Sequence, residues 1–155
     1  MDILRYKVDN EVVVEIGKFA ILWNEFERKL TGYGNNNNYD SYKKICEIIT
    51  YDETACEELR NYLVCQRNYR SGKTKDFVEN FLYTSNGIRA NENVITVICN
   101  YIDDDGIKTE KLCGCLYTIQ RYRNNLMHGI KDLSGLDDQL SVFKIINKLL
   151  ESILK

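Results

Sequence analysis

The stretch Glu11-Val12-Val13-Val14-Glu15-Ile16-Gly17-Lys18-Phe19-Ala20-Ile21-Leu22-Trp23-Asn24-Glu25-Phe26-Glu27-Arg28-Lys29-Leu30 decides the fold. Within it Val12, Ile16, Phe19, Trp23, Phe26 and Leu30 recur at alternating steps of four and three, and Glu15, Lys18, Glu25 and Arg28 fall on other faces. This is the period of an amphipathic helix, with one apolar stripe to bury and a charged side for water. Gly32 is the natural stop, because a residue without a Cβ closes a helix at least cost. The segment Gly32 to Tyr39, with its four consecutive asparagines, reads as a loop.

The same reading extends along the chain. A second helix is expected from Asp40 to Tyr51, carrying Tyr42, Ile45, Cys46 and Ile49. A third starts at Asp52-Glu53-Thr54 and runs through Cys56, Leu59, Tyr62 and Leu63 to Tyr69. Arg70-Ser71-Gly72-Lys73 is a turn, Asp76 to Tyr83 a short helix, and Ser85-Asn86-Gly87 a break. Asn93 to Ile102 is rich in β-branched residues and open to either a strand or a helix; the 94/98/101 spacing favours helix. After the Asp103-Asp104-Asp105-Gly106 turn, a long helix spans Thr109 to Met127, with Gly129 in a capping position. The last helix, Leu136 to Leu154, repeats Leu136, Leu140, Phe143, Ile146 or Asn147, Leu150 and Ile153.

The absence of proline agrees with long uninterrupted helices. With no internal repeat and no linker, residues 1–155 form one domain: an all-α antiparallel bundle of four to five main helices plus short ones.

Composition narrows the function. A net charge of −2 excludes a globally basic nucleic-acid binder. Basic residues are nonetheless clustered: Arg67, Arg70, Lys73 and Lys75 occur without an acid, and Lys108, Lys111, Arg121, Arg123 and Lys131 accompany Glu110 alone. Two such segments can line an anion-binding groove or be solvated helix ends. The six cysteines suit a reducing compartment as buried small hydrophobes. Cys113-Gly114-Cys115 lacks a second pair, and one histidine is too few for mixed zinc sets, so neither a metal nor a cofactor is expected. No apolar run is long enough to span a bilayer, and the Met1 end lacks a secretory core; a cytoplasmic location without a membrane partner follows as an expectation.

That single histidine ends Arg121-Tyr122-Arg123-Asn124-Asn125-Leu126-Met127-His128. A guanidinium for phosphate and an imidazole that titrates near neutrality suit phosphodiester chemistry. At 100° per residue, Leu112, Cys115, Leu116, Ile119, Tyr122 and Leu126 share the apolar arc. Asn124 and His128 share the opposite side, and Arg123 sits at the arc's edge. Arg123 and His128 are not on one face, so joint action needs the arginine to reach around or the last turn to unwind. Tyr117 falls on the polar side as a base-stacking candidate, and Tyr122 falls in the core. A packing role has its own logic: Arg123 would pair with Glu25 or Glu27, and His128 would favour the negative end of the helix dipole.

Arg123-Asn124-Asn125-Leu126-Met127-His128 resembles the arginine–four residues–histidine motif of the HEPN superfamily, in which a polar residue often follows the arginine. The motif's place in the penultimate helix and the opening helix, Ile16-Gly17-Lys18-Phe19 through Trp23-Asn24-Glu25-Phe26-Glu27, are similar to that superfamily as well. The resemblance implies an all-α bundle and a metal-independent endoribonuclease acting as a homodimer with facing motifs. It also implies a toxin or antiviral effector, with an antitoxin or regulatory partner protein. Arg121 fits the family's looser spacing too, with Arg123 favoured. Ile130 stands where members modified by a nucleotidyltransferase antitoxin often carry tyrosine. Some members only bind, which leaves a non-catalytic module for a partner protein or nucleotide as the alternative.

For cleavage, RNA supplies its own nucleophile, the 2′-hydroxyl; the protein must move protons and stabilise phosphate charge. One imidazole per chain for an acid and a base points to a symmetric homodimer. Arg123 would clamp phosphate, Asn124 would orient His128 or touch the phosphate, and His128 would transfer the proton. Arg67, Arg70, Lys73, Lys108, Lys111, Arg121 and Tyr117 are weaker RNA contacts.

Overall fold

The structure, a computed structural model, describes residues 2–3, 6–33, 39–70, 72–83, 91–127 and 133–155. It is an all-α helical bundle. A short antiparallel pairing of Asp2–Ile3 (β1) with Tyr6–Lys7 (β2) precedes the helices, where no strand was expected.

Helix α1 spans Asn10–Thr31. The Asp9 carboxylate caps it by accepting from the Glu11 amide at 2.9 Å, and Gly32 closes it. Val12, Phe19, Trp23, Phe26 and Leu30 of the sequence stripe are buried. Helix α2, Tyr39–Ile48, stops three residues short of the expected Tyr51. The reason lies in the next helix: Asp52 acts as its cap, accepting from Ala55 N at 3.0 Å, and its own amide donates to Ser152 Oγ at 2.9 Å. Helix α3, Glu53–Arg70, ends where Gly72 takes φ 72° and its amide bonds Arg67 O at 2.9 Å, a left-handed closure that favours glycine.

One α turn, α4 (Thr74–Phe77), then widens into a π turn, Val78–Leu82. The expected short helix over Asp76 to Tyr83 is thus present in altered form. Helix α5, Glu92–Asp103, resolves the ambiguous β-branched segment as helix. The Asn91 side chain caps its start, and Asp104, in the left-handed region at φ 60°, closes its end. Helix α6 is Lys108–Met127. The final element starts as a 3₁₀ segment, Leu133–Gln139, before α7, Leu140–Leu154. The asparagine run, Ser85-Asn86-Gly87 and the Gly129 cap lie outside the described residues.

Helix α6 is the axis of the bundle, packing against α5, α2, α3 and the π turn. Every residue from Leu112 to Ile119 is buried. Helix α7 joins α1 to α3 on the other side. Phe19 meets Phe143 at 5.2 Å, and Asn147 Nδ2 donates to Glu15 O and Oε2 at 2.9 and 2.8 Å. Ile146 and Asn147, alternatives in the sequence stripe, are both buried. Among the described residues no helix is long and apolar enough to cross a membrane.

Candidate functional site

The last two turns of α6 place their polar side chains in three directions. Tyr122 is core, set edge-on to Phe143 with ring centroids 6.5 Å apart. Arg121 and Asn125, four residues apart, turn together toward the π turn. Arg123 and Leu126, three apart, turn toward α1.

Arg121 is only 5% exposed. Its Nε donates to Leu82 O at 3.1 Å, one amino group faces Asn125 Oδ1 at 3.4 Å, and the guanidinium lies 4.2 Å from the Tyr83 ring centre. Asn125 Nδ2 also donates to Leu82 O, at 3.3 Å. Both bonds are accepted by the Leu82 carbonyl, the last of the π turn. Burial pulls the Arg121 guanidinium below its ordinary value, opposed by Tyr83. The expectation that Arg121 offers its charge to RNA is therefore corrected: the side chain is buried and turned toward Leu82, Tyr83 and Asn125.

Arg123 has the opposite character. It is half-buried and lines a cleft of about 160 Å³ between α1 and α6, facing Phe19, Trp23, Asn24 and Glu27. One of its amino groups donates to Asn124 Oδ1 at 3.1 Å. Among the described residues no carboxylate lies within 4.0 Å of it as an ion-pair partner. Of the acids that a packing role would use, Glu25 pairs with Arg28 at 3.0 Å, and Glu27, on the wall of the same cleft, accepts the Trp23 indole N–H through Oε1 at 2.5 Å. His128, which follows Met127, lies outside the described residues, as do Ile130 and Lys131.

The remaining sequence candidates do not share this cleft. Tyr117, expected on a polar side, is 2% exposed and stacks on Tyr42 at 4.5 Å. The physical reason is that α6 has no polar side over its middle turns, being enclosed by α2, α3 and α5. Lys108 pairs with Glu53 and Lys111 with Asp104, at the far end of α6. Fifteen residues of helix put Lys108 about 22 Å from Arg123 along the axis. Arg67 is held by Asp103 at 3.0 Å and by Thr74 Oγ1 at 3.0 Å. Arg70 stacks 3.9 Å over Phe81 and lines a separate cleft with Tyr62 and Asp138. Lys73 is exposed just before α4. The two positive segments thus do not build one groove around Arg123.

Residue-by-residue reading of the sequence left Trp23, Asn24 and Glu27 out of the site, although they form its α1 wall. The signal was available: Trp23 and Glu27 are four apart, a spacing that puts an indole N–H and a carboxylate side by side. No family model matches the chain, and neither a curated protein nor a solved structure matches it.

Proposed function

We propose that the protein is a metal-independent endoribonuclease that cleaves single-stranded RNA through Arg123, Asn124 and His128, working as a homodimer of the HEPN type. One observation carries this reading: the Arg123 guanidinium is half-buried with no carboxylate partner among the described residues, in a cleft that Leu126 lines two residues before His128. A half-buried guanidinium that no carboxylate of the described residues approaches within 4.0 Å keeps N–H groups to offer an anion, although Glu27 stands on the same wall. A phosphodiester is such an anion, and the planar fork of arginine fits its oxygens. Asn124 holds that fork by accepting one of its N–H groups.

In the proposed reaction the 2′-hydroxyl attacks the adjacent phosphorus in line. One His128 removes its proton, and the partner subunit's His128 protonates the departing 5′-oxygen. Arg123 stabilises the phosphorane charge. The products are a 2′,3′-cyclic phosphate and a 5′-hydroxyl, and DNA is left intact. A role as a toxin or antiviral effector under control of a protein partner in the cytoplasm belongs to the same proposal.

The test is incubation of labelled RNA in EDTA with wild type, His128→Ala and Arg123→Ala. Wild type cuts; each variant loses about 100-fold or more in rate with an unchanged helical spectrum. Intact RNA in all three reactions returns the protein to the class of non-catalytic binding modules. Full activity in a species that light scattering shows to be monomeric removes the composite site.

A further inference from the structure

Three consecutive residues of α6 reach three different helices. Cys113 faces Cys46 of α2, Gly114 lies against Val97 and Tyr101 of α5, and Cys115 meets Cys56 of α3. Four thiols from three helices therefore share one section of the core. The two pairs are not equivalent. The Tyr101 hydroxyl donates to the Cys56 carbonyl oxygen at 2.6 Å, placing a phenol beside that pair. Cys46 and Cys113 face each other directly, Sγ to Sγ at 2.9 Å. A covalent bond needs about 2 Å, so less than an ångström separates the two sulfurs from bonding distance.

Both members of the direct pair touch the surface. Cys46 and Cys113 are each 5% exposed, whereas in the other pair Cys56 is 6% exposed and Cys115 is sealed. Cys46 forms part of the wall of an open cleft of about 330 Å³ beside Thr50 and Tyr51, ample for a small oxidant. Among the described residues no group of three ligating side chains is placed to hold a metal ion.

We propose that Cys46 and Cys113 form a dithiol modification site that two-electron oxidants of the peroxide class close into a disulfide joining α2 to α6. One sulfur attacks a peroxide oxygen; the O–O bond breaks, the sulfur becomes a sulfenic acid and the first water leaves. The second sulfur then displaces the sulfenic oxygen, its proton departing with that oxygen as the second water. Two S–H bonds and one O–O bond are lost, one S–S and two O–H bonds form, and two electrons pass from sulfur to peroxide. The hydrogen bond that Cys46 shares with Cys113, together with burial, favours the protonated Cys46 thiol and holds it above its ordinary value, so its thiolate becomes more abundant in base. The site does not depend on the proposed RNA cleavage, and its readout is purely chemical.

The test uses the full chain with Cys65→Ser and Cys99→Ser, which leaves the four clustered thiols. Hydrogen peroxide lowers the thiol count of the denatured protein from four to two and the mass by about 2 Da. Digestion after Glu47 and Glu110 separates Cys46 from Cys56, and fragmentation assigns the bond to Cys113 rather than to Cys115. The oxidised form melts roughly 5–10 °C higher, and dithiothreitol reverses the rise. Adding Cys46→Ser abolishes the bond, and mapping on the intact quartet does not rely on that variant folding. Four thiols persisting through hours of exposure, a bond mapping to Cys56 or Cys115, or a link between two chains overturns the proposal.

Discussion

Arg121 and Arg123 are two residues apart on one helix and have opposite fates. The difference comes from what each meets across the fold. Arg121 meets the Leu82 carbonyl and the Tyr83 ring, and Arg123 meets a cleft walled by Trp23 and Glu27. The stability of the fold therefore leans on the first and not on the second. Arg121→Ala removes a charge-assisted bond to a buried carbonyl and a cation–π contact, and is expected to cost about 2–4 kcal/mol in urea unfolding. Arg123→Ala, with no ion pair to lose among the described residues, is expected to cost under about 1 kcal/mol. Equal costs for the two variants would refute this division of labour. A helical wheel sees both arginines but cannot see the π turn, which is brought to α6 from some forty residues away. Tyr117 was opaque for the same reason: periodicity reports a polar side only where one neighbour faces a helix, and α6 has several.

At the scale of the element, most boundaries were legible because their causes are local. The stripe from Val12 to Leu30 and the Gly32 stop lie within α1 itself, and the start of α3 lies in the Asp52 cap. Two features had distant causes. α2 ends early as the chain turns into the bond from Asp52 N to Ser152, and the 3₁₀ entry to α7 is tied by Asp137 accepting from Asp9 N at 3.0 Å. Glycine shows how little the residue type alone discloses. A Cβ on Gly114 would stand 2.5 Å from Tyr101 Cβ and 2.8 Å from Val97 O, whereas one on Gly17 would meet nothing within 4 Å. Gly17→Ala should stabilise the protein by about 0.5–1 kcal/mol, the ordinary helix-propensity gain. Gly114→Ala gains the same propensity but forces α5 away from α6, for a net loss of about 1–3 kcal/mol. Thermal melts of the two variants should move in opposite directions, and a common direction would show that α5 and α6 do not approach as closely as described.

At the scale of the molecule, enclosing α6 commits the core to phenols. Tyr42, Tyr101 and Tyr122 are buried, and burial holds each well above the usual tyrosine value of about 10; the same cause pushes Tyr51 up to about 12. The consequence for stability has a definite sign. Below pH 10 these groups are neutral in both folded and unfolded chains and add no pH dependence. Above it the unfolded chain releases their protons while the folded core keeps them, so the folded state binds more protons and loses stability as pH rises. Each withheld phenol contributes about 1.4 kcal/mol per pH unit, so three together remove roughly 4 kcal/mol per unit, against a total stability of about 5–15 kcal/mol. Lys18, Lys111 and Lys144, raised chiefly by hydrogen bonds to Glu151, Asp104 and Glu11, push the same way on the surface. The fold should therefore hold steady from pH 7 to about 8.5, weaken as the unfolded chain's thiols ionise while Cys46 and Cys99, raised in the fold, keep their protons, and collapse cooperatively above about pH 10. Phenolate absorbance from the buried set will appear as a step that coincides with loss of the helical signal. If all eleven tyrosines ionise along one smooth curve with the helices intact, the enclosure of α6 by its neighbours is wrong.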